Sequence, residues 1–415
     1  MFTERNAAMP LPLSDRQRAL QGVAQLAATG VTEAATAVQE IHRAIARLPF
    51  TALKPLPATP VVALAHDTIA DGVYGAIRGI AGAVGISARL AIQTLPPQWL
   101  PDRDAPSAAA AQAISALNGA FGDGLAAQDH PLTLGMAFAH RGRAVALTEA
   151  AFAEAYADAR STVVVFLHGL CCNESVWDFY RDGHQGRTYA SRLQNDLDAT
   201  AVYLRYNSGL AIADNGAALA QQLDALMELY PRRIKRLILI GHSLGGLVAR
   251  SAIAEAMTGD APWLQALSHL ICLGSPHLGS PLERGGWRLT RTLEALPFTQ
   301  TFARWGRARS LGIKNLRHGH IRPEDSAGLD PDADFGAPPR ACPRPAHVKF
   351  GFVGCVLGAL EDDALSRRLG DGLVPLASAR AKDLIDADWA AYTRRHHVRL
   401  VNDPAVYAQL HRWLT

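Results

Sequence analysis

The segment "LILIGHSLGGLVARSA", Leu237 to Ala252, constrains this chain more than any other. An unbroken apolar run meets a turn of Gly, His, Ser and Gly, and an apparently helical segment follows. A continuous Val/Ile/Leu strand is one buried on both faces, which places it in a mostly parallel sheet covered by helices. A strand that turns this sharply into a helix crowds the positions two before and two after the bend. Gly241 and Gly245 stand there, and Gly246 adds room for helix packing. Such a turn lifts the hydroxyl of Ser243 above the sheet, beside a helix N-terminus that favours developing negative charge. Gly-Ser-Gly turns also occur without chemistry, so the rest of the chain has to decide.

From Pro131 onward the chain alternates strands and helices. "LTLGMAFAHRGRAVAL" reads as strand, turn, strand, with "HRGR" at the turn. "STVVVFLHG" and "ATAVYLRYN" are strands, 212–229 a helix, and "RRIKRLILIG" the strand that leads to Ser243. "LSHLICLGS", "HVKFGFVG" and "HHVRLV" supply three further strand candidates, and a last amphipathic helix closes the chain. This is an α/β pattern with a mostly parallel sheet, helices on both faces and a leading antiparallel hairpin. Residues 1–130 read as an all-helical region: Ser14 caps one helix that stops at Gly30, and Thr32 caps the next, which Pro49 ends. "PLPATP" is a linker. Residues 65–95 and the Ala-rich 107–128 are further helices. Residues 281–345 interrupt the alternation in 131–415 and are too long for an ordinary connection, so a lid-like insertion is expected.

A serine needs a base to become a nucleophile. "GDGLVPLASA" offers Asp371 in a glycine-flanked turn, while Asp362, Asp363, Asp383 and Asp386 read as surface charges. "RRHHVRLVNDPAVY" offers His396 and His397, and the spacing to the segment that follows favours His397. The order Ser243, Asp371, His397 suits an acid that orients an imidazole and an imidazole that deprotonates the serine. An oxyanion needs backbone N–H donors. One is expected from Leu244, the other from Leu170 in "FLHGLCCNESVW", where Gly169 lets the backbone turn toward the site. His168 is expected to fix that loop, His242 to pack under the elbow, and His277 to line the site in a packing role. His411 reads as surface.

The net charge of +3 and the lack of a basic stripe do not point to nucleic acid, and no such partner is expected. The five cysteines fit no metal pattern, so no metal is expected. Cys272 and Cys355 read as buried thiols, and adjacent Cys171 and Cys172 as two reduced ones. The N-terminus has no long apolar core of a secretory signal, and no run of about 18 apolar residues occurs. A cytoplasmic protein is expected, with peripheral membrane contact left open by the apolar 68–95 stretch.

Residues 131–415 resemble the α/β-hydrolase superfamily, and within it lipase-like hydrolases of the GPI inositol-deacylase type. "VVFLHGLCCNESVW", "LRYNSGL", "LILIGHSLGGLVARSA", "LGSPHLGSPLER", "GDGLVPLASA" and "HHVRLVNDPAVY" carry the resemblance. The N-terminal helices are similar to those preceding this domain in bacterial members. The resemblance implies the α/β-hydrolase fold and hydrolysis of a carboxylic ester, a small-molecule or lipid ester, through Ser243, Asp371 and His397 without a cofactor. An acyltransferase or thioesterase would use the same residues. A non-enzymatic protein that docks a membrane or partner through its N-terminal helices is the third reading.

Overall fold

The computed structural model describes residues 108–127, 132–259, 261–280, 310–328, 339–342, 344–382 and 386–415. Upstream it describes helical positions at 28, 31–32, 35–36, 39, 71, 73–84 and 86–87. The expected cap at Ser14, the "PLPATP" linker and the amphipathic stretch 281–309 lie outside the described residues. The chain divides into two compact units, Met1–Ala113 and Ile114–Thr415. The division falls inside helix α1 (Ala108–Ala127).

In the first unit the Gln39 side chain bridges Asp71 and Arg78: its Nε2 donates to Asp71 Oδ1 at 2.8 Å, and Arg78 Nη1 donates to its Oε1. Thr32 is not a cap. Its hydroxyl donates to the Ala28 carbonyl at 2.8 Å, a back-bond made from within a helix.

The second unit is built on an eight-stranded sheet: β1 (Ala137–His140), β2 (Arg143–Ala144), β3 (Thr162–Leu167), β4 (Ala199–Arg205), β5 (Arg236–His242), β6 (Leu267–Leu273), β7 (Lys349–Cys355) and β8 (Asp388–Tyr392). Their order across the sheet is β2-β1-β4-β3-β5-β6-β7-β8. The β1–β2 hairpin turns through Arg141 and Gly142, both at positive φ, as a two-residue hairpin requires. β1 also pairs antiparallel with β4, and every later pairing is parallel.

The strands read as continuous apolar runs because both faces are covered. Val163, Val165 and Leu167 enter one core, which holds residues of α2 (Glu149–Ala155), α4 (Ile212–Leu229) and α5 (Leu244–Ala256). Val164 and Phe166 enter the opposite core, against α3 (Tyr189–Leu197) and α6 (Pro404–Leu414). Caps define the helix starts. Thr148 accepts from Ala151 N–H, Thr188 and Ser191 form a reciprocal box, and Asp403 accepts from Ala405 and Val406 ahead of Pro404.

One strand expectation changes here. "HHVRLV" is not a strand: His397–Leu400 form a 3₁₀ turn, and the edge strand is the preceding "DWAAY". Arg394 is left-handed (φ 56°) and ends the extended run. The backbone bonds of the next residues go to Val356 and Asp371 rather than to a neighbouring strand. The described part of the insertion packs against the domain. Ser310, Arg317, Ile321 and Asp325 are buried, Ser280 N–H donates to Leu316 O, and Ser251 Oγ donates to Ile321 O. All five cysteines are free thiols. Among the described residues no helix is long and apolar enough to cross a membrane.

Candidate active site

β5 runs between β3 and β6, with Leu167 paired to Gly241 and Leu273 paired to His242. The loops after β3 and β6 therefore flank the residue that follows β5, Ser243. Its backbone has φ 54° and ψ −122°, held by a 2.8 Å bond from its N–H to the Leu273 carbonyl. A side chain forced into this region costs about 1–3 kcal/mol, which the surrounding structure must offset. The two flanking glycines are needed for space. A Cβ at Gly241 would lie 2.5 Å from the Gly245 carbonyl carbon, and one at Gly245 would lie 2.5 Å from Leu167 O and 2.6 Å from His168 O.

Asp371 and His397 meet at the same end of the sheet. His397 Nδ1 lies 2.7 Å from Asp371 Oδ2, and both side chains are buried. Asp371 Oδ1 accepts from the Leu373 and Val374 amides at 2.9 and 2.7 Å. The carboxylate thus acts as acceptor throughout, which puts the imidazole proton on Nδ1 and leaves the Nε2 lone pair free. Nε2 is buried and has no hydrogen-bond partner among the described residues. The ring lies against Gly274, whose added Cβ would be 3.1 Å from His397 Cε1, and Gly274 directly follows the Leu273 carbonyl that anchors Ser243. A buried, unspent imidazole nitrogen beside a serine at a strained bend can take a hydroxyl proton.

His396, the neighbouring candidate, turns toward Tyr180, with ring centroids 6.0 Å apart. Burial, then His397 and Arg399, lower its pKa.

The loop after β3 touches the elbow. A Cβ at Gly169 would lie 3.1 Å from Ser243 Cβ, so this glycine serves close approach. Gly169 opens a turn over 169–172, closed by Cys172 N–H to Gly169 O, and the positive φ within it falls on Cys171, at 59°. Cys171 N–H is spent on Ser208 Oγ at 3.0 Å, and Cys172 N–H on Gly169 O at 3.3 Å. Leu170 sits between Gly169 and these two occupied amides. Leu244 opens α5, where N–H groups lack intrahelical acceptors.

His168 is buried and holds this loop. Nδ1 donates to Gly169 O at 2.8 Å, Nε2 accepts from Tyr206 N–H at 3.3 Å, and its ring stacks on Tyr206 at 4.2 Å. Burial pushes its pKa down to about 4. His242 packs 4.8 Å from the His397 ring, and its Nε2 donates to the His397 carbonyl at 3.3 Å. Burial first, and His397 second, push it down to about 3. His277 stacks on Phe352 at 4.1 Å and accepts from Arg250 Nη1 at 3.0 Å, so its polar contact is with Arg250. Burial, reinforced by Arg250, holds it far below the ordinary imidazole range.

The structure adds one residue that sequence reading missed. Asn402 Nδ2 donates to the Trp177 and Phe179 carbonyls, and its Oδ1 accepts from Tyr189 N–H. It ties the segment after His397 to the turn that follows the β3 loop. Its only local sign is position: one residue ahead of the Asp-Pro that caps α6. Among the described residues, no group of three or more His, Cys, Asp or Glu is placed to hold a metal ion.

The sheet order, the elbow after the central parallel strand, and the acid and histidine on later loops define an α/β-hydrolase fold. Residues 158–329 match the model of the PGAP1-like alpha/beta domain family. The matched part includes Ser243 and Leu170; Asp371 and His397 lie beyond it. No curated protein matches the sequence. Among solved structures, the mature lipase BlEst2 of Bacillus licheniformis is 19% identical, with 61% of this chain and 92% of that one covered and a TM-score of 0.42. The lin2722 gene product of Listeria innocua is 15% identical over 61% and 93%, with a TM-score of 0.36. A putative aryl esterase from Burkholderia cenocepacia is 15% identical over 62% and 91%, with a TM-score of 0.31.

Proposed function

We propose that this protein is a serine hydrolase of carboxylic esters, acting through Ser243, His397 and Asp371. The observation that carries the reading is the buried Asp371–His397 pair, whose Nε2 is left unspent beside the Ser243 elbow. His397 Nε2 takes the Ser243 proton as Oγ attacks the acyl carbonyl. The oxyanion is held by the Leu170 and Leu244 amides. Asp371 stabilises the imidazolium. Collapse breaks the ester C–O bond, and His397 returns the proton to the leaving alkoxide, giving an alcohol and an acyl-Ser243. Water, deprotonated by the same Nε2, releases the acid and restores the serine. Among the described residues Nε2 makes no hydrogen bond, and bonds from a general base to its nucleophile commonly tighten in the Michaelis complex. Amphipathic sequence in the insertion favours an ester with an acyl chain or lipid body.

The test is labelling with a fluorophosphonate, followed by mass mapping, together with a p-nitrophenyl ester series from acetate to palmitate. Label on Ser243 and turnover that disappears in Ser243→Ala are expected, and the chain-length profile separates esterase from lipase. A competing alcohol in the assay detects acyl transfer. No label and no turnover in the wild type would sink the reading.

A further inference from the structure

The family match begins at residue 158, and α1 lies wholly ahead of it. We propose that the second half of α1 is a positioning element of the oxyanion loop, with Gly119 as the residue that sets where Cys171, and so the Leu170 amide, can sit. This inference rests on the serine-hydrolase reading above.

α1 reaches Cys171 by two routes. The direct one is through Gly119. A Cβ there would collide with Cys171 Sγ and lie 2.7 Å from its Cα and its N, so the helix backbone abuts the loop backbone. Two of those three atoms are main chain, and a rotamer change cannot clear them. Cys171 is also the loop residue at positive φ, where the chain has little freedom to shift. The second route is through Gly122. A Cβ there would lie 2.6 Å from Asn207 Cγ, and Asn207 Nδ2 donates to Gly122 O at 3.0 Å. Asn207 Oδ1 accepts from Gly209 N–H at 3.0 Å and shapes the turn around Ser208. Ser208 Oγ then takes the Cys171 N–H. One helix therefore fixes both the backbone that Cys171 rests on and the hydroxyl that consumes its amide. With the Cys171 amide spent on Ser208 and the Cys172 amide on Gly169 O, the hydrolase reading takes the loop's oxyanion donor as the Leu170 amide just before them.

The helix is itself pinned where this happens. At Phe121 the backbone leaves helical geometry (φ −139°, ψ 19°). The carbonyls just before it are taken by Ser310: Oγ donates to Gly119 O at 2.6 Å and N–H to Ala120 O at 2.9 Å. Leu311 N–H donates to Asp123 Oδ2 at 3.1 Å. Displacement of the helix would therefore have to break a third set of bonds.

The experiment compares wild type, Gly119→Ala, Ser208→Ala and Gly124→Ala. Gly124 lies on the same helix with nothing within 4 Å of an added Cβ. Each is assayed for kcat and KM on p-nitrophenyl butyrate, for Ki of a trifluoromethyl ketone that forms an oxyanion adduct, and for melting temperature. Gly119→Ala is expected to lower kcat by up to about 100-fold, in the range of losing one oxyanion donor, with KM within about twofold. Ki is expected to rise in step with the fall in kcat. Gly124→Ala is expected to match wild type. A folded Gly119→Ala with wild-type kcat, beside an active wild type, overturns this proposal alone. If Gly119→Ala fails to fold, Ser208→Ala decides: a fall in kcat with KM and fold retained supports the proposal, and wild-type kcat overturns it. A wild type that neither labels nor turns over overturns the hydrolase reading and this proposal with it.

Discussion

His397 is joined to Asp371 twice: its backbone N–H donates to the Asp371 carbonyl at 3.0 Å, and its Nδ1 meets Oδ2 at 2.7 Å. The two loops are thus registered by main chain, and the side-chain bond selects the tautomer. Asp371→Asn keeps the carbonyl, and its amide oxygen can still accept from Leu373 and Val374. It is expected to fold with a near wild-type melting temperature and to lose about 10⁴-fold in kcat, because an amide donor facing Nδ1 puts the proton on the wrong nitrogen. Ester turnover and thermal melting on one preparation check this.

Ser243 occupies a conformation that suits glycine better than any L-residue. Both Ser243→Ala and Ser243→Gly are expected to be inactive, and Ser243→Gly to be the more stable of the two by about 1 kcal/mol. Denaturant unfolding of the two variants reads the difference. Equal stability would mean that the elbow stores no strain.

His168 and His242 are held neutral in the fold, at about 4 and about 3 against an ordinary 6.5. Unfolding frees them to bind protons near pH 6.5. Below that pH the unfolded chain takes up protons that the folded chain refuses until its own lowered pKa is reached. Their contribution is therefore intact above about pH 6.5 and is lost as pH falls toward 4, by at most about 3 kcal/mol for His168. Denaturation midpoints measured from about pH 8 to about pH 4 should drop below pH 6.5, and His168→Asn should flatten that slope.

Asn402 is buried and makes three side-chain hydrogen bonds to backbone groups of other segments. Asn402→Ala leaves those groups unpaired and is expected to cost about 2–3 kcal/mol. Asn402→Asp keeps the acceptor for Tyr189 but faces two carbonyls with a carboxylate, and should be no better. Urea midpoints at fixed m-value test both.

Much of this was legible in the sequence because it is enforced locally. A strand that turns into a helix within a few residues leaves no room for Cβ atoms beside the bend, so Gly241, Ser243 and Gly245 announce themselves in any chain that builds the turn. Continuous apolar runs announce strands buried on both faces, as in β3 and β5. The edge strand β8 was missed because it has one neighbour only and reads as the mixed "DWAAY", while the apolar "HHVRLV" carries a strand-like pattern into a 3₁₀ turn.

What the tertiary structure alone decided were the pairings between distant segments. Spacing favours His397 over its neighbour His396, and the meeting with Asp371 is what the fold adds. The left-handed residue of the loop after β3 is Cys171, and Gly119, on a helix far back in the chain, leaves the space it occupies. An alanine-rich helix carries no mark of the loop it will support. Short-range sterics write themselves into neighbouring residues, whereas a contact across the fold is written only where two surfaces meet.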